Sequence, residues 1–270
     1  MVRTGFGAEV VRAGLTVTLY PQRERLQARD LDLPGDVSTA AFFMVAASIV
    51  PGSEVSLQQV GINPTRTGLL EVLRRMGGDV TIHQRADMAG EPVADLDVKS
   101  AALRATALRG ELIPRLIDEL PVFAVLATQA EGTSVVHDAT ELRFKESDRI
   151  TTTVRELRKL GARIQEREDG FEVHGPTPLQ GARVDAGGDH RLAMALAVAG
   201  LVASGETVID GAEVAAVSHP EIWDDLRLLY ARLGTLEAGV DLRAREDLLD
   251  PGDAEQHEVL ALRQDLHDAL

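Results

Sequence analysis

One pattern of apolar and polar residues occurs three times along this sequence, which is typical of a repeat architecture. In each copy an Ala-rich apolar run ends at a glycine and is followed by an alternating, strand-like stretch. The apolar runs cover residues 40–52, 120–132 and 192–205, so the period is about 75 residues. This pattern favours a buried helix that ends near its glycine, followed by a strand.

A second helical pattern, apolar on one side only, follows each of these strands. Its three copies each close at a glycine and cover residues 69–77, 154–161 and 223–234. Paired short strands follow the first two copies, at residues 79–82 with 94–98 and 162–165 with 170–173. The sequence therefore predicts an α/β protein that is built from βαβαββ repeats.

The first residues of the chain match the end of a repeat and not its beginning. Leu26-Gln27 and Gly35-Asp36 recur with the same spacing as Leu179-Gln180 and Gly188-Asp189. We therefore expect that the chain begins inside a first domain whose earlier part is absent. The expected division is a partial first domain at 1–101, a second domain at 102–235 and a charged C-terminal tail at 236–270.

Charge and composition exclude several classes of function. The chain has 28 Lys and Arg against 43 Asp and Glu, so its net charge of −15 disfavours nucleic acids and anionic membranes as partners. It has no cysteine, which excludes disulfides and thiolate metal sites and fits a reducing compartment. Neither a signal peptide nor an apolar run long enough for a membrane span is found, so we expect a cytoplasmic protein.

Charged and hydroxyl side chains cluster where the predicted helices begin. Helix N-termini carry unpaired N–H groups and partial positive charge, so several of them facing one cleft would bind anions. Cations for phosphate and carboxylate groups, with carboxylates for proton transfer, suit a transfer between phosphorylated acids. The residues that provide these groups are Ser38, Thr39, Asp118, Glu119, Lys145, Glu146, Arg149, Asp189, His190 and Arg191.

Each of these residues also has an ordinary structural interpretation. Ser38, Asp118 and Asp189 are common helix N-caps, and Arg66 could be a solvated surface side chain. No His, Asp and Glu spacing resembles a metal-ligand set, so no metal is expected. Equivalent repeat positions are polar three times over, and caps alone do not explain Lys145, Glu146, Arg149 and Arg191, which favours the anion site.

Five ordered motifs carry a resemblance to a known family. They are Leu33-Pro-Gly-Asp-Val-Ser-Thr, Asn63-Pro-Thr-Arg-Thr-Gly, Leu116-Ile-Asp-Glu-Leu-Pro, Glu141-Leu-Arg-Phe-Lys-Glu-Ser-Asp-Arg and Gly188-Asp-His-Arg. Over residues 7–230 they resemble the 5-enolpyruvylshikimate-3-phosphate synthases. The resemblance implies an inverted α/β barrel enzyme of two domains, each of three repeats, with the substrates in the cleft between them.

The resemblance also implies a reaction and a role for each residue. The family transfers the enolpyruvyl group of phosphoenolpyruvate to the 5-hydroxyl of shikimate 3-phosphate and releases phosphate, on the route to chorismate and aromatic amino acids. It works without a cofactor, and the complete enzyme is expected to be a monomer. By motif, Asp118 would accept the hydroxyl proton and Glu146 would handle the proton of the methylene carbon. The substrate-binding residues would be Ser38, Thr39, Arg66, Glu141 and Lys145 for shikimate 3-phosphate, and Arg149 and Arg191 for phosphoenolpyruvate.

Some family motifs do not occur in this chain. The opening Lys-Ser…Arg motif, the Asn-Ala-Gly-Thr loop and an Arg-Pro stretch are missing, Ala40 stands where many members have Gln, and Val217 where some have Lys. We therefore expect the chain to be incomplete and inactive alone, with a missing N-terminal segment as its partner. The alternatives are the related UDP-N-acetylglucosamine enolpyruvyl transferase, and a non-catalytic remnant or assembly partner.

Overall fold

The structure is a computed structural model that describes residues 2–3, 6–21, 25–28, 30–88, 90–233, 240–244 and 260–264. The helices in this part of the chain are α1 (Val37–Ile49), α2 (Gly68–Arg75), α3 (Leu120–Thr128), α4 (Arg149–Lys159), α5 (His190–Gly200) and α6 (Ile222–Leu233). Short 3₁₀ turns lie at Gly110–Arg115, Ile117–Glu119, Thr140–Phe144 and Ala212–Val217. None of the described helices has the length and apolar character needed to cross a bilayer.

The strands form four sheets. Strands β1 (Val2–Arg3), β2 (Glu9–Ala13) and β3 (Thr16–Leu19) form the first sheet, and β4 (Glu54–Gly61), β5 (Asp79–Gln84) and β6 (Val93–Lys99) form the second in the order β4-β6-β5. The third sheet contains β7 (Ala107–Leu108), β8 (Gly132–Val136), β9 (Arg163–Arg167) and β10 (Gly170–Gly175) in the order β7-β8-β10-β9. The fourth contains β11 (Arg183–Asp185), β12 (Gly205–Asp210), β13 (Val240–Ala244) and β14 (Leu260–Gln264) in the order β11-β12-β14-β13.

The three Ala-rich runs are the helices α1, α3 and α5, and they form the centre of the molecule. Every residue of α3 is buried, and in α1 every residue except Thr39 is buried. Helices that are apolar on all sides must be surrounded by other elements, and these three pack against one another. Strands of the second, third and fourth sheets pack on these helices, so the predicted inverted α/β arrangement is confirmed.

The turn after each central helix depends on its glycine. Gly52, Gly132 and Gly205 have φ angles of 75°, 107° and 88°, a conformation that residues with a Cβ atom rarely adopt. Each glycine reverses the chain between a central helix and the strand that packs on it. The repeat that the sequence predicts is therefore present in all three copies.

The hydrophobic core does not divide at residue 101, where the sequence was expected to change domain. Helix α1 lies before this position and α3 and α5 lie after it, yet α1 packs against both. One continuous core runs from Val37 to Leu226. Residues 37–101 therefore share a core with residues after 101, because a helix that is apolar on every side is buried by its two counterparts, and the division into domains stays a prediction.

Part of the predicted tail 236–270 belongs to the fourth sheet. Strand β14 pairs antiparallel with both β12 and β13, which is the arrangement that β10 makes with β8 and β9. The third repeat thus ends in paired strands, as the first two do. The other residues of the predicted tail, 236–239, 245–259 and 265–270, lie outside the described residues.

Candidate functional site

Four helices begin at one end of the core, and each starts with polar residues. Asp118 lies in the turn Ile117–Glu119 that leads into α3, Arg149 is the first residue of α4 and Arg191 is the second residue of α5. Ion pairs join these three residues, so the beginnings of α3, α4 and α5 meet at one place. Ser38, the second residue of α1, lies at the beginning of the fourth helix.

Arg149 is the buried centre of this cluster, because its side chain is only 1% exposed and contacts three carboxylates. Its Nε and Nη2 atoms donate to both oxygens of Asp189, at 2.7 and 3.2 Å. Nη1 donates to Asp118 at 3.0 Å, and Nη2 also donates to Glu146 at 2.6 Å. A planar guanidinium can satisfy several carboxylates at fixed angles, so Arg149 sets the relative positions of these acids.

Asp189 both caps α5 and neutralises Arg149. Its Oδ1 accepts the backbone N–H of Arg191 at 3.0 Å, and its Oδ2 accepts the hydroxyl of Ser147 at 3.0 Å. Burial opposes ionisation of Asp189, but the hydrogen bond and charge of Arg149 outweigh it and lower the pKa of Asp189. Asp189 is therefore ionised across the neutral pH range and holds Arg149 in place.

Asp118 faces three cations and is partly open to solvent. Its Oδ1 lies 3.0 Å from Nη1 of Arg149 and 3.6 Å from Nζ of Lys145, and its Oδ2 lies 3.8 Å from Nη2 of Arg191. Burial raises its pKa, but the charges of Arg191, Lys145 and Arg149 have the larger combined effect, so the pKa of Asp118 is below its usual value. Asp118 is therefore ionised at neutral pH, which is the form that a proton acceptor requires.

Lys145 and Glu146 lie in the short segment between the turn Thr140–Phe144 and α4. The Nζ atom of Lys145 is 3.1 Å from Oε1 of Glu141 as well as 3.6 Å from Asp118. Glu146 pairs with Arg149, and its side chain is about half exposed. The predicted residues Asp118, Glu141, Lys145, Glu146, Arg149 and Arg191 are thus brought together in one cluster.

Ser38, Thr39 and Arg66 form a second group at the beginning of α1. Nη2 of Arg66 donates to Oγ of Ser38 at 2.9 Å and to Oδ1 of Asp36 at 2.8 Å. Asp36 is the N-cap of α1, and its other oxygen accepts the backbone N–H of Thr39 at 3.1 Å and the Thr39 hydroxyl at 3.3 Å. In this structure Thr39 therefore takes part in the helix cap, and its contact with a substrate stays a prediction.

Glu119 lies between the two groups, and the sequence predicts it as one of the carboxylates at the helix starts without a specific role. It is 5% exposed, and both Ser38 and Arg191 act on its carboxyl group. Asp189 was predicted as a polar helix start and an N-cap, whereas Asp36 was not, although the repeated Gly-Asp pair at 35–36 and 188–189 marks both caps in the sequence. Glu119 has no comparable signal, because its burial depends on the packing of its turn against α1.

The chemistry of the whole arrangement is that of an anion site with a carboxylate in its centre. Lys145 and Arg191 make the longest contacts with Asp118, so both can turn toward an anionic ligand at little cost. No group of three or more His, Asp and Glu side chains in the described ranges could hold a metal ion. Proton transfer by Asp118 and Glu146, with charge stabilisation by the cations, is the chemistry that these residues can perform.

Asp189→Asn is expected to destabilise the protein far more than the same change at another helix cap. Asparagine keeps the cap but removes the charge opposite a buried guanidinium, which should cost about 3–5 kcal/mol in the free energy of unfolding. Asp148→Asn is the matched control, since Asp148 caps α4 but pairs with the more exposed Arg143, and we expect a loss of at most about 1 kcal/mol. Equal losses of unfolding free energy for the two variants in urea denaturation would show that the buried Arg149–Asp189 pair stabilises the protein no more than the exposed pair does.

Comparison with known proteins gives a consistent set of similarities. Residues 2–226 match the family model described as EPSP synthase (3-phosphoshikimate 1-carboxyvinyltransferase). The 3-phosphoshikimate 1-carboxyvinyltransferase of Synechococcus sp. (strain RCC307) is 50% identical over 229 residues, which are 83% of this chain and 52% of that protein. The enzyme of the same name from Geobacillus kaustophilus (strain HTA426) is 51% identical over 232 residues, 85% of this chain and 54% of that protein. The chain therefore spans about half the length of the curated relatives it matches.

Solved structures show the same similarity. EPSP synthase from Acinetobacter baumannii has a TM-score of 0.77 and 38% identity to this chain, over 84% of this chain and 52% of that one. The enolpyruvyl transferase NikO from Streptomyces tendae has a TM-score of 0.66 at 22% identity, over 83% of this chain and 50% of that one. At that identity NikO supports the fold alone.

Proposed function

This chain belongs to the EPSP synthase (3-phosphoshikimate 1-carboxyvinyltransferase) family, and we propose that its cluster is one half of an enolpyruvyl transfer site. The substrates are shikimate 3-phosphate and phosphoenolpyruvate, and the reaction is a step in the synthesis of aromatic amino acids. The observation that carries the proposal is the Asp118 carboxylate, which lies 3.0 to 3.8 Å from Arg149, Lys145 and Arg191 at converging helix N-termini. An ionised base surrounded by cations suits a hydroxyl nucleophile that attacks a phosphorylated acid.

The charges of the cluster match the charges of the substrates. Both substrates carry a phosphate and a carboxylate, and Lys and Arg at helix N-termini bind such groups. Lys145 and Arg191 are 24% and 14% exposed, so they can contact ligands directly. Arg149 pairs with three carboxylates. It would therefore support phosphoenolpyruvate binding first by holding Asp118 and Glu146 in position.

The proton transfers balance with two carboxyl groups. In the first step the 5-hydroxyl oxygen of shikimate 3-phosphate bonds to carbon 2 of phosphoenolpyruvate while Asp118 takes the hydroxyl proton. Glu146, as an acid, gives a proton to carbon 3 of phosphoenolpyruvate. In the second step Glu146 removes a proton from the new methyl group, the carbon–oxygen bond to phosphate breaks, and the leaving phosphate takes the proton held by Asp118. Neither step needs a covalent bond to the protein.

Substrate binding would also adjust the strength of the base. The charges of Arg191, Lys145 and Arg149 depress the pKa of Asp118 in the empty site. A bound phosphate or carboxylate offsets part of this positive charge, so the pKa of Asp118 rises toward its usual value when the substrates bind. A carboxylate with a higher pKa is a stronger base, and its strength therefore increases when the nucleophile is in place.

The remaining cations of the site are proposed to come from the half of the family's length that this chain does not span. The motifs absent from the sequence fall in that half by resemblance, and the complete enzyme would be a monomer with a cleft between two domains. The 270 residues are therefore expected to bind shikimate 3-phosphate weakly and to show no turnover by themselves.

A calorimetric titration of shikimate 3-phosphate into the 270-residue chain tests the proposal. Lys145→Met removes a charge-assisted contact worth about 1.5–3 kcal/mol, so Kd should rise by at least about tenfold. Lys99→Met is the matched control, because Lys99 pairs with Glu54 at the end of β6 and lies outside the cluster. Absence of binding to the unaltered chain, or the same Kd in all three proteins, would contradict the proposed site.

A further inference from the structure

Glu119 is a buried carboxyl group that the proposed reaction does not use. Its side chain is 5% exposed, and its Oε1 atom has no hydrogen-bond partner among the described residues. Glu156, which is also buried, is different, because Lys159, Arg155 and the backbone N–H of Asp185 contact it at 2.6 to 2.8 Å. A buried oxygen without a partner costs free energy, so the position of Glu119 needs an explanation.

The groups that act on Glu119 come from several elements of the fold. The Ser38 hydroxyl reaches it from α1, Arg191 from α5 and Arg66 from the loop after β4, and Asp118 precedes it in the chain. Helix α3, which follows, contributes no charged residue. Burial raises the pKa of Glu119 and Asp118 adds to the effect, while Ser38, Arg191 and Arg66 oppose it without cancelling it.

The ionisation of Glu119 competes with anion binding. An ionised Glu119 attracts the guanidinium groups of Arg66 and Arg191 and repels any anion brought beside them. A neutral Glu119 leaves both guanidinium groups available, and its proton lets it donate a hydrogen bond. An anion at this position adds negative charge close to Glu119, and like charge favours the neutral form of a carboxyl group.

We propose that Glu119 takes up a proton when an anionic ligand occupies the site formed by Ser38, Arg66 and Arg191. Glu119 is then a positioning residue whose charge regulates two arginines, and ligand affinity falls as rising pH ionises it. The identity of the anion, a phosphorylated hydroxy acid, rests on the proposed function, whereas the protonation of Glu119 does not.

Urea denaturation of the ligand-free chain between about pH 5 and pH 8 tests the protonation. A carboxyl group whose pKa is raised on folding stabilises the protein below its unfolded pKa, and this stability is lost as pH rises through the folded pKa. Glutamine cannot ionise, so the stability of Glu119→Gln relative to wild type should increase with pH. Parallel pH profiles of Glu119→Gln and wild type would overturn the proposal.

Glu156→Gln is the matched control, because the pKa shift of Glu156 has the opposite sign. Its ion pairs lower the pKa of Glu156, so its stabilisation is present above the unfolded pKa and is lost as pH falls. Between about pH 5 and pH 8 Glu156 is ionised in both the folded and the unfolded state, so the stability of Glu156→Gln relative to wild type should stay constant over this range. The relative stability of Glu119→Gln should thus rise between about pH 5 and pH 8, while that of Glu156→Gln stays flat.

Titration of shikimate 3-phosphate in buffers of different ionisation enthalpy tests the coupling to the ligand. Wild type and Glu156→Gln should take up more protons on binding than Glu119→Gln, by up to about one per ligand. The ligand's own proton exchange is common to all three proteins and cancels in this difference. The ratio of the wild-type Kd for shikimate 3-phosphate to the Kd of Glu119→Gln should increase with pH, by up to about tenfold per pH unit.

The possible failures are distinguishable. Equal proton uptake by wild type and Glu119→Gln overturns the coupling and leaves the proposed function in place. Absence of shikimate 3-phosphate binding overturns the proposed function and the coupling together, while the ligand-free pH profiles still report the protonation. Carbon-13 NMR of the Glu119 carboxyl group in wild type requires no variant, and a signal that stays at its ionised position with ligand bound would also overturn the proposal.

Discussion

Asp118→Asn is expected to reduce kcat by at least about 100-fold, because it removes the group that accepts the proton of the attacking hydroxyl. Asparagine has the shape of aspartate and can still accept a hydrogen bond from Arg149. Asp189 remains as the fully buried partner of Arg149 and Asp118 is partly exposed, so the melting temperature should change little and the substrates should still bind. A hybrid enzyme, in which residues 2–226 replace the matching half of the Geobacillus kaustophilus relative, allows steady-state kinetics with both substrates.

The control for this experiment is Asp97→Asn in the same hybrid. Asp97 lies in β6 and contacts Ser56 and His83 on the sheet surface, so its replacement should leave kcat unchanged. If Asp118→Asn retained kcat within about threefold of the hybrid while losing stability, Asp118 would be a structural residue. A folded hybrid without phosphate release would contradict the proposed function as a whole.

Phe42→Ala is expected to lower the free energy of unfolding by about 3–5 kcal/mol, and to do so across the whole three-helix core. Phe42 is 1% exposed in α1, which packs against α3 and α5. If the three helices unfold together, hydrogen exchange of backbone amides in α5 should accelerate by at least about 100-fold. Protection of α5 that is unchanged by Phe42→Ala would mean that α1 belongs to a separate unit.

Phe144→Ala serves as the matched control for the core. Phe144 is 81% exposed, so its truncation should change the free energy of unfolding by no more than about 0.5 kcal/mol. Comparable losses from the two variants would show that the burial of α1 contributes little to stability.

The sequence predicts the helices and the repeat well because their signals are local. The apolar runs and their glycines define α1, α3 and α5 without any knowledge of packing. The core shared across residue 101 is different, since the burial of α1 against α3 and α5 depends on contacts between distant parts of the chain. The same limit applies to Glu119, because the sequence shows a carboxyl group after Asp118 but not its burial behind Ser38.

The strands β13 and β14 had a signal that the charged composition concealed. Val240, Leu242 and Ala244 alternate with Asp241 and Arg243, a period of two that is typical of a strand. The high content of Asp, Glu and Arg around them favoured a solvated tail. Comparison with the paired strands of the first two repeats would have assigned them to the third.

The sequence predicts the helix starts as candidate anion sites, but it does not predict the different roles of the two arginines in the cluster. The sequence places Arg149 and Arg191 at similar positions, and only the structure shows Arg149 buried among three carboxylates. Arg191 is more exposed than Arg149, and its 3.8 Å contact with Asp118 is longer than that of Arg149. The difference arises from Asp189, which caps one helix and pairs with the first residue of another.

A crystal structure of this chain with shikimate 3-phosphate tests the central claim most directly, because the claim is that Asp118 receives the proton of the 5-hydroxyl. We expect the 5-hydroxyl oxygen within about 3.2 Å of an Asp118 carboxylate oxygen, with Lys145 beside it. Shikimate 3-phosphate bound away from the cluster, or bound with its 5-hydroxyl turned from Asp118, would contradict this claim.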